Sequence, residues 1–192
     1  VITKTSSVAI PSIIFFFIMS DKIIEILFTV QYIEAAKYYR IFLFSILFSM
    51  SSYGLVLRGF KKTKFLFYSD LIGVIISLPL SFILIKNFNL YGAVSAALIG
   101  IGLPITIKII FELYFLEISL KKWLDWSSLI KILLISLLGI ILPLFCILYI
   151  TNIYLCFSLS LFLYSIFILI FQVKLNVFIY PDFFNFLKYK FK

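Results

Sequence analysis

The stretch RGFKKTKFLFYSDLIGVIISLPLSFILIKNFNLYGAVSAALIG, residues 58–100, decides how this chain folds. It opens on the densest positive charge in the sequence, Arg58, Lys61, Lys62 and Lys64. A long apolar run follows, broken by Lys86, Asn87 and Asn89, and a second apolar run begins at Leu90. About 20 apolar residues in helical form match the hydrocarbon thickness of a bilayer. The pattern predicts two membrane helices, 64–86 and 90–116, joined by a tight polar corner. Their cations gather at the end away from that corner.

Composition carries the same reading to the whole chain. Of 192 residues, 64% are hydrophobic, 20% aromatic and 13% charged. Mean hydropathy is +1.21. A soluble fold lacks the interior to hide so much apolar side chain. The ~10-residue alternating segments of a transmembrane barrel are absent. The expected class is an all-α integral membrane protein with about six transmembrane helices. They fall at 3–19, 38–58, 64–86, 90–116, 128–150 and 153–173. Between the first two, DKIIEILFTVQYIEAAKYY is amphipathic, with Ile23, Ile24, Leu27 and Phe28 at helical spacing, and is expected to lie at the interface. Residues 174–192 form an amphipathic tail, in which Pro181 and Asp182 are suited to start a short helix. The chain begins at Val1 without a basic leader, so a fragment of a longer protein is expected.

The net charge of +9 raises nucleic acid as a partner, and its distribution removes that reading. With the second helix running outward to inward, Arg58, Lys61, Lys62, Lys64, Lys108, Lys121, Lys122, Lys131 and the tail lysines fall on the inner side, with Lys4. The outer side keeps Lys22, Lys37, Arg40 and Lys86 of the 17 Lys and Arg residues. This is the positive-inside bias, and it puts the C-terminus in the cytoplasm. Trp123 and Trp126 sit at an inner boundary, where indole rings prefer to be.

Chemistry-bearing residues are few. There is no histidine, and Cys146 and Cys156 lie inside apolar runs without metal or redox spacing. No nucleotide, metal or nucleophile motif occurs, so neither a cofactor nor a metal is expected. The connections NFN and TN are too short to hold an outer-face active site. Asp70 is ionisable at depth, and such a residue is a candidate for the transport path or for a structural ion pair. Arg58, at the end of the preceding helix, is its expected partner. Lys108 and Glu112 share a face at i, i+4 and are expected to form a local pair or line an inner vestibule. Gly92, Ala96 and Gly100 form a small-residue face for close helix packing. Pro11, Pro79, Pro104 and Pro143 each predict a bend in a helix.

The residues also resemble a known family. DKIIEILFTVQYIEAAKYYRIF is similar to the break, amphipathic segment and Tyr–x–x–Ala–Ala lead-in found in bacterial oligosaccharide flippases, within the superfamily of multidrug and oligosaccharidyl-lipid exporters. Residues 58–100 resemble that family's basic cytoplasmic turn, long helix, short corner and small-residue helix. The tail FIYPDFFNFLKYKFK is similar to its cytoplasmic ending. Many members carry Leu-Phe-Gly before the tyrosine; here the residues are Leu27, Phe28 and Thr29. The resemblance implies the C-terminal lobe of a two-lobed, MATE-like transporter in the bacterial inner membrane. It further implies a missing N-terminal lobe and a lipid-linked oligosaccharide as substrate. Under it, Arg58, Lys61, Lys62 and Lys64 would draw anionic lipid. The competing expectations are a cation-coupled multidrug antiporter, a membrane polysaccharide polymerase or ligase, and a structural membrane subunit.

Overall fold

The computed structural model describes residues 2–48 and 54–175. The predicted tail helix at Pro181, with Lys188, Lys190 and Lys192, lies outside the described residues. The described residues are helical, with no strand among them. Two compact units divide the chain, residues 3–19 with 126–175 and residues 20–125.

The first unit consists of α1 (Ile2–Ile18), α8 (Trp126–Gly139), α9 (Ile141–Tyr149) and α10 (Ile153–Lys174). Helix α10 begins where Asn152 caps it, its side-chain oxygen accepting from the amides of Tyr154 and Leu155. Every fourth residue of α10 is buried: Cys156, Ser160, Tyr164, Ile168 and Gln172. That spacing keeps one face of the helix inward. It packs on Ile132, Ile135 and Ser136 of α8 and on Pro143 and Cys146 of α9, which are also buried. Gly139 lies so close that a Cβ there would come within 2.9 Å of the Tyr164 ring. The predicted 128–150 segment breaks at Ile140, where the amide bonds to Leu137 rather than one residue earlier. Pro143, three residues on, cannot donate to Gly139 and so removes a rung of the ladder.

Helix α1 is bound to α10 through its own defect. Pro11 has no amide hydrogen, which leaves the Ser7 carbonyl without its helical donor. Gln172 Nε2 donates to that carbonyl at 2.7 Å. Tyr164 Oη reaches the Pro11 carbonyl at 3.2 Å and that of Ser136 at 3.3 Å. Where no water can satisfy a freed carbonyl, a neighbouring side chain must.

The second unit contains α2 (Ser20–Phe28), a 3-10 turn (Val30–Tyr32), α3 (Ala35–Phe42), α4 (Ser45–Phe48), α5 (Leu55–Gly59), α6 (Thr63–Leu116) and α7 (Leu120–Trp123). The predicted helix 38–58 is not continuous. From residue 41 to 47 the ladder shifts to tighter bonds, with Phe44, Ile46 and Leu47 amides donating three residues back. Residues 49–53 of that predicted helix lie outside the described residues.

Helix α6 turns back on itself. Asn89 takes φ 51°, ψ −125°, far from helical values. Phe65 packs on Phe111 and Phe115, Asp70 on Lys108, and Gly73 on Pro104. Further along, Ser77 meets Gly100 and Leu84 meets Gly92. Each step forward on the arm 63–88 is a step back on the arm 90–116, which defines an antiparallel hairpin. Each arm is roughly 40 Å long at about 1.5 Å per residue, enough for the ~30 Å hydrocarbon core.

The hairpin seam is built from small residues at four-residue spacing on both arms. Ser69, Gly73, Ser77 and Ser81 lie on the first, and Gly92, Ala96, Gly100 and Pro104 on the second. Serine hydroxyls at the seam are satisfied within their own helix: Ser69 donates to Phe65 O and Ser81 to Ser77 O, both at 2.6 Å. Such residues let backbones approach closely.

Outside the seam the hairpin is apolar and exposed. Phe82 is 72% exposed, Tyr114 74% and Leu78 65%. Apolar surface on that scale belongs in lipid or against another protein. Thr63–Leu116, Trp126–Tyr149 and Ile153–Lys174 are long and apolar enough to cross a membrane. Thr3–Ile18 and Ser20–Phe28 taken together also qualify. The described part is therefore an all-helical chain suited to membrane insertion.

Candidate functional site

The charged groups of the second unit collect where the hairpin opens. Helix α5 ends in a Schellman turn: the Lys62 amide donates to Leu57 O and the Lys61 amide to Arg58 O. Lys61 occupies the left-handed position of that turn, φ 55°, which glycine usually fills. The second arm ends the same way, with Glu117 left-handed and the Ile118 amide returning to Leu113 O. Both turns are thus closed by backbone hydrogen bonds. Arg58, Lys61, Lys62 and Lys64 are all exposed. Lys62 Nζ lies 5.5 Å from the centre of the Phe115 ring, beside the Phe65–Phe111 contact.

Roughly 10 Å further along the first arm sits Asp70. Its partner is Lys108, at 2.6 Å, and not Arg58. The register explains the difference. Arg58 belongs to the preceding turn, whereas antiparallel pairing carries Lys108 directly across from Asp70. The Lys108 side chain is 17% exposed and that of Asp70 57%.

Glu112 also departs from expectation. It does not pair with Lys108, one turn away. It is buried, and its Oε1 accepts from the Gly54 amide at 2.6 Å. Gly54 has φ +88°, and that conformation points its amide at the carboxylate. Lys108 and Glu112 continue the Gly92–Ala96–Gly100–Pro104 row by four-residue steps, so both lie on the seam face. Lys108 is drawn across the seam to Asp70, and Glu112 to the Gly54 amide ahead of α5, instead of to each other along the helix.

Of the predicted packing residues, Gly92 is indispensable to the fold-back. A Cβ there would lie 1.9 Å from Leu84 O. Ala96 is buried, and Gly100 has only Ser77 Cβ at 4.0 Å. Glycine at 73 was not among the sequence-predicted residues, yet a Cβ there would meet the Pro104 ring at 2.4 Å. The signal was the Ser69–Gly73–Ser77–Ser81 spacing, in which serine acts as a small residue.

No protein-family model, curated protein or solved structure matches this chain. The geometry must therefore be read for itself. Among the described residues, no three His, Cys, Asp or Glu side chains gather as a metal would need. In the first unit, a cavity of ≈ 330 Å³ lies between α1 and α10, lined by Ser7, Pro11, Phe15, Tyr164, Ile168 and Gln172. Gln172 and Tyr164 already direct their donors to the backbone of α1.

The second unit also holds a polar contact that sequence reasoning missed. Arg40 on α3 donates through Nε to Ser20 Oγ at 2.6 Å and through Nη2 to Asp21 on α2. These residues are about twenty apart in sequence, and only the α2–α3 turn joins them.

Proposed function

We propose that this chain is one lobe of a transporter that carries a lipid-linked oligosaccharide from the inner to the outer face of a bacterial cytoplasmic membrane. The observation that carries this reading is the open end of the hairpin. Four exposed cations stand at one end of an apolar hairpin, and a membrane-depth ion pair, Asp70–Lys108, lies one layer deeper. Exposed cations beside lipid attract anionic headgroups, by about 1 kcal/mol each near a charged surface. A polyprenyl diphosphate presents such a headgroup, and its tail is compatible with the exposed apolar arms. Transport of this kind makes and breaks no bond. Binding and rocking against an N-terminal lobe would do the work.

The Thr29 backbone sits at φ 75°, ψ 167°, a region almost reserved for glycine. Many members of the family that the sequence resembles carry glycine at that place, and this chain departs from them in the side chain.

One observation favours the cation-coupled antiporter as a second reading. Glu112 is a carboxylate with 2% exposure, the kind of group that binds and releases a cation during transport. Expression of the full-length protein in cells lacking their own flippase separates the readings. Restored surface polysaccharide that survives Glu112→Gln supports the flippase. Accumulation of lipid-linked repeat units at the inner face, despite normal expression, rules it out.

A further inference from the structure

The amphipathic segment 21–39 is expected to lie at the membrane interface, and the structure narrows which of its residues are free to meet lipid. Ile23 and Ile24, the centre of the apolar face of α2, are buried in the protein, as is Ala36 of α3. What remains exposed is the tip: Leu27 at 65%, Phe28 at 55%, Val30 at 60% and Tyr32 at 59%, followed by Ile33. From Ile26 to Ile33 no residue is Asp, Glu, Lys or Arg.

We propose that this tip, residues 27–33, is a membrane wedge that enters one leaflet end-on and anchors the second unit to lipid. Three features favour lipid over a protein partner as the occupant. First, the charges behind the tip are already matched: Lys22 pairs with Glu25, Lys37 with Glu34, and Arg40 with Asp21. They leave no net charge for a partner to read. Second, α3 packs beside the end of the two long apolar arms. Tyr38 packs on Tyr91 at 4.8 Å, beside the Asn89 corner of the α6 hairpin. Aromatic residues favour the ends of membrane spans. Third, the tip is adapted to partial insertion. The amides of Thr29, Tyr32 and Ile33 are hydrogen-bonded within the turn, to Glu25, Thr29 and Val30 carbonyls. Val30 and Gln31 begin the 3-10 turn, where amides have no partner inside the helix. Backbone of that kind is excluded from the hydrocarbon centre but suits the acyl–headgroup boundary, about 5–10 Å deep. Helix α2 by itself is roughly 14 Å long against a ~30 Å core, and it passes as a span only when joined to Thr3–Ile18 across a bend.

The test is nitroxide accessibility in the full-length chain, with Cys146 and Cys156 replaced by alanine and the protein in phosphatidylethanolamine–phosphatidylglycerol vesicles. Single cysteines at Lys22, Phe28, Val30 and Lys37 receive the label. Oxygen concentrates in the bilayer and a nickel chelate stays in water. Labels at Phe28 and Val30 should collide several-fold more with oxygen than with nickel, and those at Lys22 and Lys37 should show the reverse. Nickel-dominated collisions at Phe28 and Val30 would place the tip in water. Low collision with both reagents there would place it against protein. Either result overturns the proposal. Replacing Val30 with serine supplies a second check, since an exposed tip residue leaves the fold intact. Oxygen accessibility at a Phe28 label should then fall while thermal stability is unchanged; a loss of stability would mean that the tip packs inside the protein.

Discussion

Gln172 and Ser7, 165 residues apart, are joined by a single hydrogen bond that exists because of Pro11. The proline takes away the one amide that would serve the Ser7 carbonyl, and Gln172 Nε2 replaces it at 2.7 Å. The substitution Gln172→Leu should therefore destabilise the first unit by about 1–2 kcal/mol, the range for a buried hydrogen bond in a membrane setting. Pro11→Ala restores the amide and should make the same glutamine change nearly neutral. A double-mutant cycle on thermal unfolding in detergent reads this coupling directly. Additive effects of the two changes would show that the bond does not compensate the proline.

The hairpin seam discriminates sharply between glycines. Gly92→Ala drives a Cβ into Leu84 O, which is backbone and cannot swing aside. Gly73→Ala drives one into the rigid Pro104 ring. Each should cost about 2 kcal/mol or more, as overpacking does. Gly100→Ala meets only ordinary contact and should change stability by less than about 0.5 kcal/mol. Thermal denaturation of the three purified variants gives the ranking, and equal losses at 92 and 100 would refute the pairing of the arms.

Thr29 stores backbone strain. A β-branched residue at φ 75° is unfavourable by about 1–3 kcal/mol, and glycine relieves most of it. The change Thr29→Gly should raise stability by about 1 kcal/mol after glycine's greater entropy loss. Thr29→Ala keeps the Cβ and should gain little. Melting temperatures of the pair decide whether the strain is present.

Asp70 and Lys108 separate structure from transport. If the pair lies on the substrate path, Asp70→Asn should leave the protein at normal levels in the membrane while transport falls about tenfold, equivalent to about 1.4 kcal/mol. Exchanging the two residues would keep the bond and still fail to restore transport. Recovery of transport in the exchanged protein would make the pair a structural tie alone. Immunoblots of membranes beside the polysaccharide assay supply both readings.

Apolar run length made much of the fold legible. The arms of α6 and the extent of α10 follow from it, as does the corner at Asn87–Asn89, because only a few polar residues interrupt the runs. Register was not legible. Local reasoning assigned Arg58 to Asp70, as the cation ending the preceding helix, and Lys108 to Glu112, as neighbours one turn apart on the same helix. The Asp70–Lys108 pair depends on which residues face each other across the seam, which follows from the small-residue rows on both arms, and the Glu112–Gly54 contact depends on the approach of the turn before α5. Serine hides half of this signal, because it acts as a small residue where its hydroxyl is satisfied by its own helix. The break at 41–47 was also invisible, because tighter helical bonding changes the path of an apolar segment without changing its composition.

The central structural claim is that Thr63–Leu116 is two antiparallel membrane arms, with the cations and the Asp70–Lys108 pair at one face. Its most direct test is labelling by a membrane-impermeant maleimide at single cysteines replacing Lys62, Asn87 and Ser119, in a background without Cys146 and Cys156. The account predicts that positions 62 and 119 react only after the membrane is permeabilised and position 87 reacts in intact cells. Labelling of 62 and 119 from opposite sides, or of all three from one side, would contradict it.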